Sequence, residues 1–145
     1  MSIKRILIVD DEHLTRISLA GFLHDAGYET AAASNGESAI QLQREQPFDL
    51  CIVDIRMPGI DGVETILRMN RIASSSRFII CTGSPQFALT PALKEINMSE
   101  RHIVRKPILD MNIFVTLIDD PDFTRKMGSF VSSSEQKSQN RGIDK

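Results

Sequence analysis

The chain runs to 145 residues, 41% of them hydrophobic and 25% charged, and its 17 Lys and Arg against 19 Asp and Glu leave a formal net charge of −2. One core at this length buries roughly 68–70% of the unfolded surface, which excludes a second folded domain of useful size. The balanced charge excludes a nucleic-acid footprint, and the apolar run after Met1-Ser2-Ile3-Lys4-Arg5 is too short for a signal peptide or a membrane span. A cytoplasmic protein without nucleic-acid or membrane partners is expected, with Cys51 and Cys81 as buried thiols inside apolar runs.

In chain order, Ile6-Leu7-Ile8-Val9 reads as a buried strand that delivers Asp10, Asp11 and Glu12 to its C-terminal edge. Residues 13–26 turn to a helical period, with Thr15, Leu19, Phe22 and Ala26 on one face, Leu23 flanking it and Gly27 as the stop. Leu14, Ile17 and Gly21 form a second stripe on that helix, equally suited to docking a partner helix and to peripheral packing. Residues 29–33 predict a weak, alanine-rich edge strand. Ser34-Asn35-Gly36 then supplies a turn and cap for a helix through Ala39, Ile40 and Leu42 that stops at Pro47.

Leu50-Cys51-Ile52-Val53 has the unbroken apolarity of a strand buried on both faces. Asp54 ends it, and Pro58, Gly59 and Gly62 enforce a turn. As a helix cap Asp54 stands several residues too early, whereas Asp61 or Thr65 is well placed, so Asp54 reads as a group presented at a strand end. Val63, Ile66, Leu67 and Met69 predict the next helix, and residues 78–81 another doubly buried strand, ended by Thr82. Pro85 and Pro91 forbid a continuous helix, so a long loop and a short helix from Thr90 or Pro91 to Met98 are expected. Residues 102–105 predict a last strand ending at Lys106-Pro107, and Asp110 a cap for a helix through Met111, Phe114, Val115 and Ile118 that Pro121 ends. The folded domain is thus expected over residues 1–119, and residues 120–145, polar and poor in apolar side chains, as a disordered tail.

Strand and helix alternate, which predicts an α/β fold: a doubly wound five-stranded parallel sheet with helices on both faces. Its C-terminal edge then collects Asp10, Asp11, Glu12, Asp54, Thr82 and Lys106 from four strands. Two carboxylates about 5 Å apart at an effective dielectric of about 20 repel by roughly 3 kcal/mol, so the cluster calls for cations. Lys106 is one; hard oxygen ligands without His or Cys select Mg²⁺ or Mn²⁺ as the other. A phosphoryl group is the natural visitor to such a site.

These residues carry a family likeness. Asp10-Asp11, the Asp54-Ile55-Arg56-Met57-Pro58-Gly59-Ile60-Asp61-Gly62 stretch, Thr82 and Lys106-Pro107, in that order and spacing, resemble the response regulator receiver domain of two-component signalling over about residues 3–119. The resemblance implies a flavodoxin-like strand order of 2-1-3-4-5. It implies Asp54 as the phosphoacceptor, receiving phosphoryl from a histidine kinase or phosphotransfer protein, and Asp11, Asp54 and the backbone carbonyl of Arg56 as ligands of Mg²⁺, with Asp10 acting through water. Lys106 and the Thr82 hydroxyl would bind the phosphoryl oxygens, while Glu12 would be a first-turn helix acid rather than a ligand. Such a chain is not an enzyme in the usual sense but an acceptor that phosphorylates itself and is capable of autodephosphorylation.

Two departures stand out: Ile103, preceded by His102, occupies the place of the family's usual aromatic three residues before the lysine, and residues 82–103 do not follow the usual fourth helix. An altered output surface is therefore expected. With no effector segment after residue 119, signalling by contact with a downstream protein is the first expectation. A magnesium-dependent phosphatase is the alternative, although Arg56 stands where its general acid would be; a phosphorylation-independent interaction module is another.

Overall fold

A computed structural model describes residues 2–124. Five parallel strands, β1 (Arg5–Val9), β2 (Glu29–Ala33), β3 (Leu50–Val53), β4 (Arg77–Thr82) and β5 (Ile103–Arg105), form one sheet in the order β2-β1-β3-β4-β5. The connecting helices are α1 (His13–Asp25), α2 (Gly36–Glu45), α3 (Gly62–Ile72), α4 (Pro91–Glu95) and α5 (Asn112–Asp119). A short α6 (Pro121–Thr124) closes the described chain.

Two cores flank the sheet, and the period-2 alternation of the strands sorts residues between them. Leu7, Val9, Cys51, Val53, Phe78 and Ile80 face a core shared with Ala39 and Ile40 of α2, Ile66 and Met69 of α3 and Leu93 of α4. Ile6, Ile8, Leu50, Ile52, Ile79 and Cys81 face the other, built with Leu19 and Leu23 of α1 and Phe114 and Ile118 of α5. Burial on both sides is why these strands read as continuous apolar runs.

The helix ends follow local chemistry. Asn35 caps α2 by accepting from the Ser38 N–H (2.8 Å), Asp61 caps α3 through the Glu64 N–H (2.9 Å), and Thr90 caps α4 with Pro91 in its first turn. Gly27, at φ +105°, ends the first helical region.

Two expectations shift. Ala26, at the C-cap of α1, is exposed, and the expected face is buried through Leu19 and the flanking Leu23. Asp110 stands at the start of α5 as expected: its Oδ1 accepts from the Asn112 N–H (2.9 Å), the first amide of the helix, and its carbonyl from the Ile113 N–H (3.2 Å). The proposed tail boundary at residue 120 also moves, since α6 folds back and Phe123, 3% exposed, packs in the second core against the His102 ring (centroids 5.0 Å apart). The rest of that expected tail, residues 125–145, lies outside the described residues. Among the described residues, no helix is long and apolar enough to cross a membrane.

Candidate functional site

The site follows from strand register. Val9 pairs with Val53, and the Asp54 N–H donates to the Val9 carbonyl (2.9 Å), so Asp10 and Asp54, one residue further along, emerge side by side. Here the connection out of β1 runs to β2 on one side and that out of β3 runs to β4 on the other, which makes the gap between them the crevice at which open α/β sheets place their ligands. Thr82 pairs with Arg105, and the Lys106 N–H donates to the Thr82 carbonyl (2.8 Å), which brings the lysine to the same edge. Behind Asp54 the backbone is tightly crossed: a Cβ on Gly62 would lie 2.1 Å from the Asp54 carbonyl oxygen, so only glycine lets α3 begin there.

Lys106 is the hub. Its Nζ donates to Asp10 Oδ2 and Glu12 Oε1, both at 2.9 Å, and lies 3.7 Å from Asp54 Oδ2. Asp54, 6% exposed, is held by the Ile55 N–H donating to its Oδ1 (2.8 Å), which leaves Oδ2 toward the lysine. Burial and the neighbouring Asp10, with a lesser push from Asp11, raise the Asp54 carboxyl to about 6 despite the opposing pull of Lys106 and the Ile55 N–H. Burial pulls Lys106 down, but its bonds to Asp10 and Glu12 and the field of Asp10 and Asp54 outweigh it, and the ammonium stays above its ordinary range. Glu12 is held below the ordinary carboxylate range by the same hydrogen bond to Lys106.

Each of Asp10, Asp11 and Asp54 offers a carboxylate oxygen, and these oxygens lie within 4.8 Å of one another. Such a set, free of nitrogen and sulfur donors and raised in energy by mutual repulsion, fits a hard divalent cation. An open cleft of about 420 Å³ gives access; Asp11, Asp54, Arg56, Thr82, Gln86 and Lys106 are among its lining residues. Thr82 is 1% exposed, and its Oγ1 accepts from the Ser84 N–H (3.0 Å), which keeps the hydroxyl proton available for donation.

The structure thus brings together every residue that sequence reasoning singled out: Asp10, Asp11, Asp54, Arg56, Thr82 and Lys106. Glu12 differs from expectation. It occupies the N-cap position of α1 without capping it, and its carboxylate serves Lys106 and the Thr15 hydroxyl (3.2 Å) instead. Arg16, not singled out, donates to the Asp10 backbone carbonyl (2.7 Å). No periodicity announces the Glu12 contact, since its partner lies 94 residues away in sequence.

The family model for the response regulator receiver domain matches residues 6–127. Sporulation initiation phosphotransferase F of Bacillus subtilis is 36% identical over 93 residues, covering 64% of this chain and 75% of that protein. Chemotaxis protein CheY of Thermotoga maritima is 32% identical over 105 residues, covering 72% and 86%. Among solved structures, the response regulator protein TrrA from Thermotoga maritima, in complex with Mg²⁺-BeF, superposes with a TM-score of 0.68 at 30% identity, over 80% of this chain and 99% of that one.

Proposed function

From the premise that the chain belongs to the response regulator receiver domain family, we propose that it is a phosphoacceptor: Asp54 takes a phosphoryl group from a histidine kinase or phosphotransfer protein, and the charged domain signals by contact with a downstream protein. The observation that carries this reading is the sharing of one lysine by strand-end acids in an open cleft, with the Asp54 Oδ2 facing that lysine.

In the proposed step Asp54 Oδ2 attacks phosphorus in line, the bond from phosphorus to the donor atom breaks with its electron pair leaving on the donor, and an aspartyl phosphate forms. Lys106 Nζ turns from the acids to the phosphoryl oxygens, and Thr82 donates its hydroxyl proton to one of them. Asp11, Asp54 and the Arg56 backbone carbonyl would hold Mg²⁺, with Asp10 acting through water; Mn²⁺, which shares the preference for oxygen ligands, would substitute. When bound, the ion neutralises the acids and the incoming phosphoryl charge. Attack by water on the aspartyl phosphate returns the carboxylate and releases phosphate, the autodephosphorylation that resets the domain.

Incubation with a small acyl phosphate and Mg²⁺ tests the reading. Wild type gains the mass of one phosphoryl group, alkali-labile as an acyl phosphate must be, and Asp54→Asn gains none. Labelling that survives the substitution overturns the proposal, and rapid turnover of a small phosphoester, which a receiver does not use as donor, makes the chain a phosphatase instead.

A further inference from the structure

The strand that delivers Lys106 ends in a second cation. Arg105, paired in register with Thr82, is exposed, and its guanidinium reaches the loop between β4 and α4 rather than the acids. Its NH1 donates to the Ser84 carbonyl and its NH2 to the Phe87 carbonyl, each at 2.9 Å. That loop forms one wall of the cleft: Gly83, Ser84, Pro85 and Gln86 line it together with Asp54, Arg56 and Lys106. Within the wall, the Phe87 N–H reaches the Ser84 carbonyl at a long 3.3 Å, and Pro85 has no N–H to give, so the arginine supplies the shorter tethers.

The tether extends to the reacting centre. Ser84, gripped at its carbonyl by Arg105, donates its own N–H to Thr82 Oγ1 (3.0 Å). A fixed Ser84 fixes the orientation of the Thr82 hydroxyl, whose proton is then directed by elimination toward other acceptors. Two separate nitrogens reaching two carbonyls is a task for a planar fork, which a lysine cannot reproduce. Ile103 on the same strand and Phe87 at the end of the loop pack on one core, so the wall is anchored from below as well as from the side.

We propose that Arg105 is a positioning residue of the phosphoacceptor cleft, holding residues 84–87 in place and, through Ser84, orienting the Thr82 hydroxyl; the role rests on the phosphoacceptor reading above. Its effect is on the rate of phosphoryl transfer and not on donor binding, because Arg105 does not itself line the cleft.

The test compares wild type, Arg105→Gln, Arg105→Lys and, as a control away from the cleft, Arg101→Gln, whose parent side chain pairs with Asp120. With acetyl phosphate and Mg²⁺, Arg105→Gln lowers the maximal labelling rate by about tenfold at an unchanged half-saturating donor concentration, Arg105→Lys recovers only part of it, and Arg101→Gln behaves as wild type. In parallel, and without any phosphodonor, amide hydrogen exchange at Ser84 and Phe87 accelerates by at least about tenfold in Arg105→Gln while the β3 amides keep their protection. Wild-type labelling with an unaltered rate in Arg105→Gln, full recovery by Arg105→Lys, or unchanged exchange in the loop overturns the positioning role while leaving the phosphoacceptor reading intact. Absence of labelling at Asp54 in wild type removes both.

Discussion

At the N-terminal end of the sheet, Gln43 donates to the Ser76 hydroxyl (2.9 Å) and the Met69 carbonyl (3.3 Å) and accepts from the Phe48 N–H (2.8 Å), while Ser76 donates to the Phe48 carbonyl (2.6 Å). Asp49, close by, accepts from both the Lys4 and Arg5 N–H groups at 2.9 Å. At the C-terminal end, Asp10, Asp11 and Asp54 crowd together beside the Lys106 ammonium, and Asp54 is pushed toward its neutral form by burial and by Asp10. Both ends bury polar side chains, but one closes its network and the other leaves like charges in contact. A closed network stabilises the fold it sits in; a crowded, destabilised one has a use for an incoming cation and a phosphoryl group.

The larger loss of stability is expected where the network is closed. Gln43→Ala removes the partner of the buried Phe48 N–H and of Ser76, and stability should fall by about 3 kcal/mol, read as a lower urea midpoint at an unchanged slope. Acyl phosphate labelling of the folded variant should stay at the wild-type rate, because the Gln43 network sits at the opposite edge of the sheet. At the acidic end the smallest effect is expected from Glu12→Gln. Its carboxylate is exposed and its pairing with Lys106 screened, so the urea midpoint should shift by no more than about 0.5 kcal/mol equivalent. A loss comparable to that of Gln43→Ala would mean that the acidic end is as structural as the other.

Much of this was legible before the structure. Strands buried on both faces have to be written as unbroken apolar runs, so β1, β3 and β4 were readable, and a polar residue ending each run, such as Asp54 or Thr82, stood out against it. Register did the rest: once the strands are parallel, their polar ends meet at one edge. What stayed hidden depends on partners distant in sequence. Gln43 in a polar helix end looks solvated until Ser76 and Phe48 are placed beside it, and Arg105 looks like an ordinary strand terminus until the loop at residues 84–87 folds under its guanidinium. Phe123 falls within the expected tail, whose composition is polar, yet its ring packs in the second core while Arg77 donates to its carbonyl (3.2 Å) and Arg101 pairs with Asp120, contacts that come from segments distant in sequence.

An acidic end that is destabilised as it stands and waits for positive charge shows itself in the pH dependence of unfolding of wild type and Asp54→Asn with divalent ions chelated. The folded chain holds the Asp54 proton up to about pH 6, against an ordinary carboxylate value of 3.8. Between those values the folded state binds more protons than the unfolded state, so stability contributed by the protonated group is fully present below the lower value and is lost as pH rises through the upper one. Asp54→Asn, which carries no charge to bury, should therefore exceed wild type by about 1–3 kcal/mol above pH 6, with the advantage vanishing toward pH 4 and narrowing when Mg²⁺ is added to both proteins. An Asp54→Asn protein no more stable than wild type above pH 6 in chelator, or a gap indifferent to Mg²⁺, would mean that the clustered acids carry no repulsion for a cation to relieve.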